Sequence, residues 1–87
     1  MQQIITDLEF QRLSPILDLD TYALLEKNML EFGCRDALVT WNGILIDGYE
    51  RYRICMEYDI PFHTVSMDFA SRDEVIIWII KNQVERL

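Results

Sequence analysis

Gly48 is followed by Arg51 and Arg53 in the segment Asp47-Gly48-Tyr49-Glu50-Arg51-Tyr52-Arg53. A strand that ends in glycine and runs straight into a helix points the unpaired amides of that helix past the strand end. Those amides and the helix dipole favour an anion. The missing side chain at Gly48 lets the anion come close. The chemistry suggested is capture of a phosphate or carboxylate. No Gly-Lys-Ser/Thr follows, so this is not a Walker loop, and the glycine spacing of a dinucleotide fingerprint is absent.

The two arginines divide on a helical wheel. At 100° per residue, Tyr49, Tyr52, Cys55, Met56 and Tyr58 fill one broad arc, and Arg51 falls inside it. Arg53 falls outside, with Glu50 and Glu57 three residues before and four after it, an ordinary surface ladder of ion pairs. A guanidinium on an apolar arc needs a partner, because an unpaired buried charge is costly. Asp47, Asp68 or a bound phosphate would serve.

Other reactive residues are sparse. His63 is the sole histidine and reads as packed or edge-exposed on a strand. Cys34 and Cys55 are too few and too far apart for a metal pattern. They read as two reduced cysteines, one of them buried. Trp41 and Trp78 read as core or interface anchors. Neither a catalytic nor a metal-ligating constellation is legible.

The elements that position these residues follow from patterning. Residues 7–13 alternate loosely and predict a short edge strand, broken by Ser14-Pro15. A helix follows, with Asp20 as N-cap, Tyr22, Leu25, Met29 and Phe32 as its stripe, and Gly33 at its end. Two β-rich runs, residues 38–41 and 44–46, flank Asn42-Gly43 and predict a tight hairpin. Asp47-Gly48 then opens a helix that runs through Tyr58 and ends before Pro61. Residues 62–67 predict a strand. Ser71 and Glu74 form a capping box for a last helix, in which residues 75–80 are apolar all round and so buried or covered by a partner.

With 87 residues the chain makes one domain, of α+β (α/β) class. Fifteen acidic residues against eight basic ones give a net charge of -7, a poor footprint for gripping duplex DNA. No basic stretch followed by an apolar one marks a secretory leader, and the apolar run at 75–80 is too short to span a bilayer, so the expectation is a protein without a leader in the cytoplasm.

The stretch of residues 44–53, with its Gly48, Arg51 and Arg53, resembles the arginine box of ParB-type partition proteins, Gly-Glu-Arg-Arg-x-Arg-Ala. The end, Asn82-Gln83-Val84-Glu85-Arg86, resembles that family's second box, Glu-Asn-x-x-Arg. The flavour is that of the short ParB-domain proteins of mobile elements, whose turn reads Asp-Gly-His-x-Arg-Tyr. The resemblance implies a small ParB/sulfiredoxin-like domain: a mixed sheet with a hairpin and about three helices. It implies a nucleotide pocket for CTP (or ATP or ADP) with Mg2+. Asp47, Gly48, Tyr49, Glu50, Arg51 and Arg53 would come from the first box, and Asn82 and Arg86 from the last helix. It also implies a homodimer, and a DNA reader downstream of Leu87 in a longer protein.

Three positions depart from the first box. Tyr49 stands for its Glu, Glu50 reverses the charge of its first Arg, and Ile54 replaces its Ala. In the second box Lys81 stands for Glu. Two enzymes share the fold. Sulfiredoxin has its cysteine where this chain has Tyr49, and an ADP-dependent serine kinase has histidines at the positions of Tyr49 and Glu50. The expectation is a nucleotide-responsive regulatory domain of a ParB-like DNA-binding protein. The alternatives are a phosphotransfer or hydrolytic enzyme, NTPase or nuclease-labelled, on the same pocket, and a dimerisation module without nucleotide.

Overall fold

The hairpin turn sets the fold. Asn42 and Gly43 both take positive φ, 51° and 80°, as a two-residue turn between twisted strands requires. They join β1 (Leu38–Trp41) to β2 (Ile44–Asp47) in antiparallel pairing. A short third strand, β3 (Thr64–Ser66), pairs in parallel with β1, giving the order β2-β1-β3. The computed structural model describes residues 4–85, and among them are these three strands and four helices.

The register of the hairpin slips between Val39 and Thr40: Val39 faces Asp47, but Thr40 faces Leu45. The extra residue is a bulge in β2. It puts two successive side chains, Leu45 and Ile46, into the interior, which a regular strand cannot do.

The first segment is a helix and not the expected edge strand. α1 (Leu8–Leu13) begins at Asp7, whose carboxylate accepts a hydrogen bond from the Phe10 amide at 3.2 Å. Phe10 and Leu13, three residues apart, face the core, while Leu8 is exposed. Leu8 and Phe10, two residues apart, therefore point to opposite sides of the helix, and the inward spacing is the three residues from Phe10 to Leu13. The strand-like role on that edge falls to Ile5, which makes a single parallel bridge to Ile44.

α2 (Leu19–Phe32) is capped by Asp18 and not Asp20: Asp18 accepts from the Thr21 amide at 2.7 Å, and Asp20 sits in the first turn. Its Tyr22, Leu25 and Met29 pack inward, but Phe32 is exposed beneath the Arg35 guanidinium. Gly33 ends it at φ 78°. α3 (Tyr49–Tyr58) ends at Asp59, also left-handed, before Pro61. α4 (Arg72–Glu85) has half the expected capping box: Ser71 Oγ accepts from the Glu74 amide, but the Glu74 carboxylate reaches the Ala70 amide instead. Its apolar run is covered on one side only. Val75 and Ile79 are buried, whereas Ile77 and Ile80 are exposed.

Two cores result. The larger joins α1, α4 and the hairpin through Phe10, Leu38, Leu45, Ile46, Tyr49, Val75 and Ile79. Each fully buried aliphatic or aromatic side chain stabilises by about 1.5–3 kcal/mol. Trp41 and Trp78 pack against this core, and the Trp41 indole donates to Phe69 O at 3.2 Å. The smaller core, Met29, Ile54 and Cys55, holds α2 to α3. Helix α3 thus serves both, sending Tyr49 to one and Ile54 and Cys55 to the other. Among the described residues no helix is long and apolar enough to cross a membrane.

Candidate anion site at the turn between β2 and α3

Gly48 opens α3 at φ 99°, ψ 27°, with no side chain capping the first turn. The position admits only glycine comfortably. A Cβ there would lie 2.6 Å from Leu38 Cδ2 and 3.0 Å from Arg51 Nη2. The Arg51 side chain therefore folds back over the turn.

Arg51 is held loosely. Its Nη2 lies 3.7 Å from Asp47 Oδ2 and 3.5 Å from Ala37 O, both long for hydrogen bonds. Its Nε is buried and has no hydrogen-bond partner among the described residues. The side chain is 20% exposed, against 57% for Arg53, which points outward to Glu50 at 3.8 Å. The separation of the two arginines by the wheel is thus reproduced. The arc itself is shifted, because Met56 and Tyr58 are exposed and Ile54 is fully buried where α3 meets α2.

Two cavities flank this guanidinium. One, of about 140 Å³, is lined by Ser14, Pro15, Leu17 and Leu25 on one side and Asp47, Gly48, Tyr49, Glu50 and Arg51 on the other. The second, of about 320 Å³, lies between Arg51 and the residues around Gly33, Cys34, Arg35 and Asp36. The loop from Ser14 to Leu17 was legible only as a break, since its approach to Gly48 is a long-range contact with no local signal.

The remaining candidate residues separate. Tyr49 is 6% exposed, and its hydroxyl is engaged within the fold. It donates to Leu45 O at 2.8 Å and lies 3.2 Å from both the amide and the carbonyl of Asp7. Burial raises its pKa above the usual phenol range. Only its backbone is offered to the turn. Asn82 is half-buried on α4 and lines neither cavity. Arg86 lies outside the described residues. His63 is exposed just ahead of β3, with its carbonyl accepting from the Leu38 amide.

The lining tests the fit of a nucleotide phosphate. The glycine cradle, the open amides and the under-bonded Arg51 fit one oxyanion. Two carboxylates, Asp47 and Glu50, line the same cavity and oppose it. Among the described residues no cluster of three or more His, Cys, Asp or Glu would hold a metal unaided. A magnesium ion here would have to share its ligands with the phosphate, which is its common habit.

No family model matches the chain, and no curated protein matches it. The solved structure of a Pnob8-like ParB-N domain does, with a TM-score of 0.72 and 25% sequence identity. The match covers 88% of this chain and 32% of that one, so this chain spans about a third of its neighbour's length. With its mixed sheet, hairpin and flanking helices, the chain is a ParB-like N-terminal domain in fold.

Proposed function

We propose that this chain is the nucleotide-responsive regulatory domain of a ParB-like DNA-binding protein. The supporting observation is the Gly48–Arg51 turn: a left-handed glycine under an arginine whose buried Nε lacks a hydrogen-bond partner among the described residues. A nucleotide phosphate would supply that partner and accept from the first amides of α3. Arg51 would orient it, Asp47 and Glu50 would share a magnesium ion with it, and Arg53 would stay at the rim. A charge of -7 fits a division of labour in which DNA is gripped by another part of the protein.

Calorimetry with CTP, ATP and ADP, each with Mg2+, tests this. One of them is expected to bind, with Arg51→Ala weakening it by about tenfold or more, the cost of a hydrogen bond to a charged group. Glu50→Gln is expected to relax the need for Mg2+. Turnover of the bound nucleotide would move the assignment to the phosphotransfer or hydrolytic enzyme. Absence of heat with all three would sink the nucleotide readings and leave a dimerisation module.

A further inference from the structure

Two cysteines distant in sequence meet beside Arg51. Cys55 is 2% exposed in the small core between α2 and α3, one helical turn after Arg51. Cys34 sits in the loop between α2 and β1, half-buried, and packs on that same core. Both thiols are free, and the Cys34 side chain, whose Sγ donates to Asp36 O at 3.5 Å, packs against the core that contains Cys55. Disulfide formation requires such side-by-side placement, since distant thiols cannot be bridged without moving backbone. Cys34 also lines the cavity that Arg51 closes, so a small reagent can reach it.

We propose that Cys34 and Cys55 are a modification site, joined reversibly into an intramolecular disulfide that pins the loop of residues 33–37 to α3 beside Arg51. The oxidant is a low-molecular-weight disulfide, RSSR. Cys34 Sγ attacks one of its sulfurs, forming Cys34–S–SR and expelling one thiolate. Cys55 Sγ then attacks Cys34 Sγ, forming the protein disulfide and expelling the second thiolate. The two thiol protons end on the two RSH released, and the two electrons lost by the protein reduce RSSR.

The order is set by access and acidity. The Cys55 thiol is pushed up to about 12 by burial and by its Cys34 neighbour, against a weaker opposing pull from Arg51. The thiolate is the attacking form, so Cys55 is a poor first nucleophile and its step governs the rate. Closure is therefore slow at neutral pH and accelerates as pH rises. The bridge ties down one wall of the Arg51 cavity whatever that cavity binds, so the proposal is independent of nucleotide recognition.

The reduced 87-residue protein incubated with oxidised glutathione provides the test. Expected are an intact mass lower by two hydrogens, no thiol labelled after denaturation, and a tryptic link between peptides 28–35 and 54–72, all reversed by dithiothreitol. Cys34→Ala should leave Cys55 a free thiol under the same conditions. Cys55→Ala should stop at a glutathione adduct on Cys34. Should Cys55→Ala fail to fold, the Cys34→Ala variant still carries the control, because its site is only half-buried. Two free thiols after incubation, an unresolved adduct on Cys34 in the wild type, or dimers linked through Cys34 would each overturn the proposal.

Discussion

At the residue scale, Gly48 and Arg51 depend on one another. The absent Cβ is what lets the guanidinium lie over the turn, and with no side chain at Gly48 the first amides of α3 stay uncapped. Gly48→Ala should destabilise the domain by about 1–3 kcal/mol, the usual cost of forcing a side chain into that region. Displacement of Leu38 adds to it, since Leu38 is fully buried and has little room to give. Urea denaturation would show the loss as a lower midpoint at unchanged slope. Much of this was legible in advance. A glycine between a β-rich run and a helix, and an arginine on the wheel's apolar arc, are local signals. The role of Tyr49 was not, because its hydroxyl is satisfied by Asp7, 42 residues away in sequence, and by a carbonyl of β2. Nothing in the residues around Tyr49 announces that partner.

Among the elements, the joint between α1 and α4 carries a titratable clasp. Arg72 donates to Asp7 at 2.6 Å and to Glu9 at 2.9 Å, and its guanidinium covers the Phe10 ring at 4.3 Å. The Arg72 hydrogen bond, offset in part by burial, holds the Asp7 carboxyl below its ordinary value of 3.8. A lowered folded-state pKa gives stability that is complete above 3.8 and is lost as pH falls through the lower folded value. Arg72→Ala should therefore lower the urea midpoint at neutral pH and bring it close to wild type in strong acid. Midpoints compared at about pH 7 and about pH 2 would check this linkage. Elements were read well where their signals are local: the Asn-Gly hairpin, the helix after Gly48, and the stop before Pro61. Residues 7–13 misled because six helical residues span fewer than two turns, too few to separate a period of 3.6 from one of 2. The bulge in β2 escaped because Leu45-Ile46 reads as an ordinary apolar pair, and only pairing with β1 shows that both face inward.

For the whole molecule, the acidic balance bears on partners. A surface with net charge -7 should show no affinity for duplex DNA that weakens with added salt. Fluorescence anisotropy on a random duplex at low ionic strength would reveal any such binding. The division into two cores also makes stability uneven. β1 and β2 sit in the larger core, while α2 is fastened through Met29 and a few half-buried neighbours and leaves Leu19, Leu24 and Leu30 exposed. Opening of α2 should therefore require less free energy than global unfolding. Amide exchange read by mass spectrometry should find α2 amides exchanging faster than those of β1 under native conditions. Leu25 of α2 lines both cavities beside Arg51. A ligand seated there would bind the closed state alone, and its affinity would be discounted by the fraction of molecules with α2 detached. Occupancy would then appear first as slower exchange along α2, with the sheet unchanged.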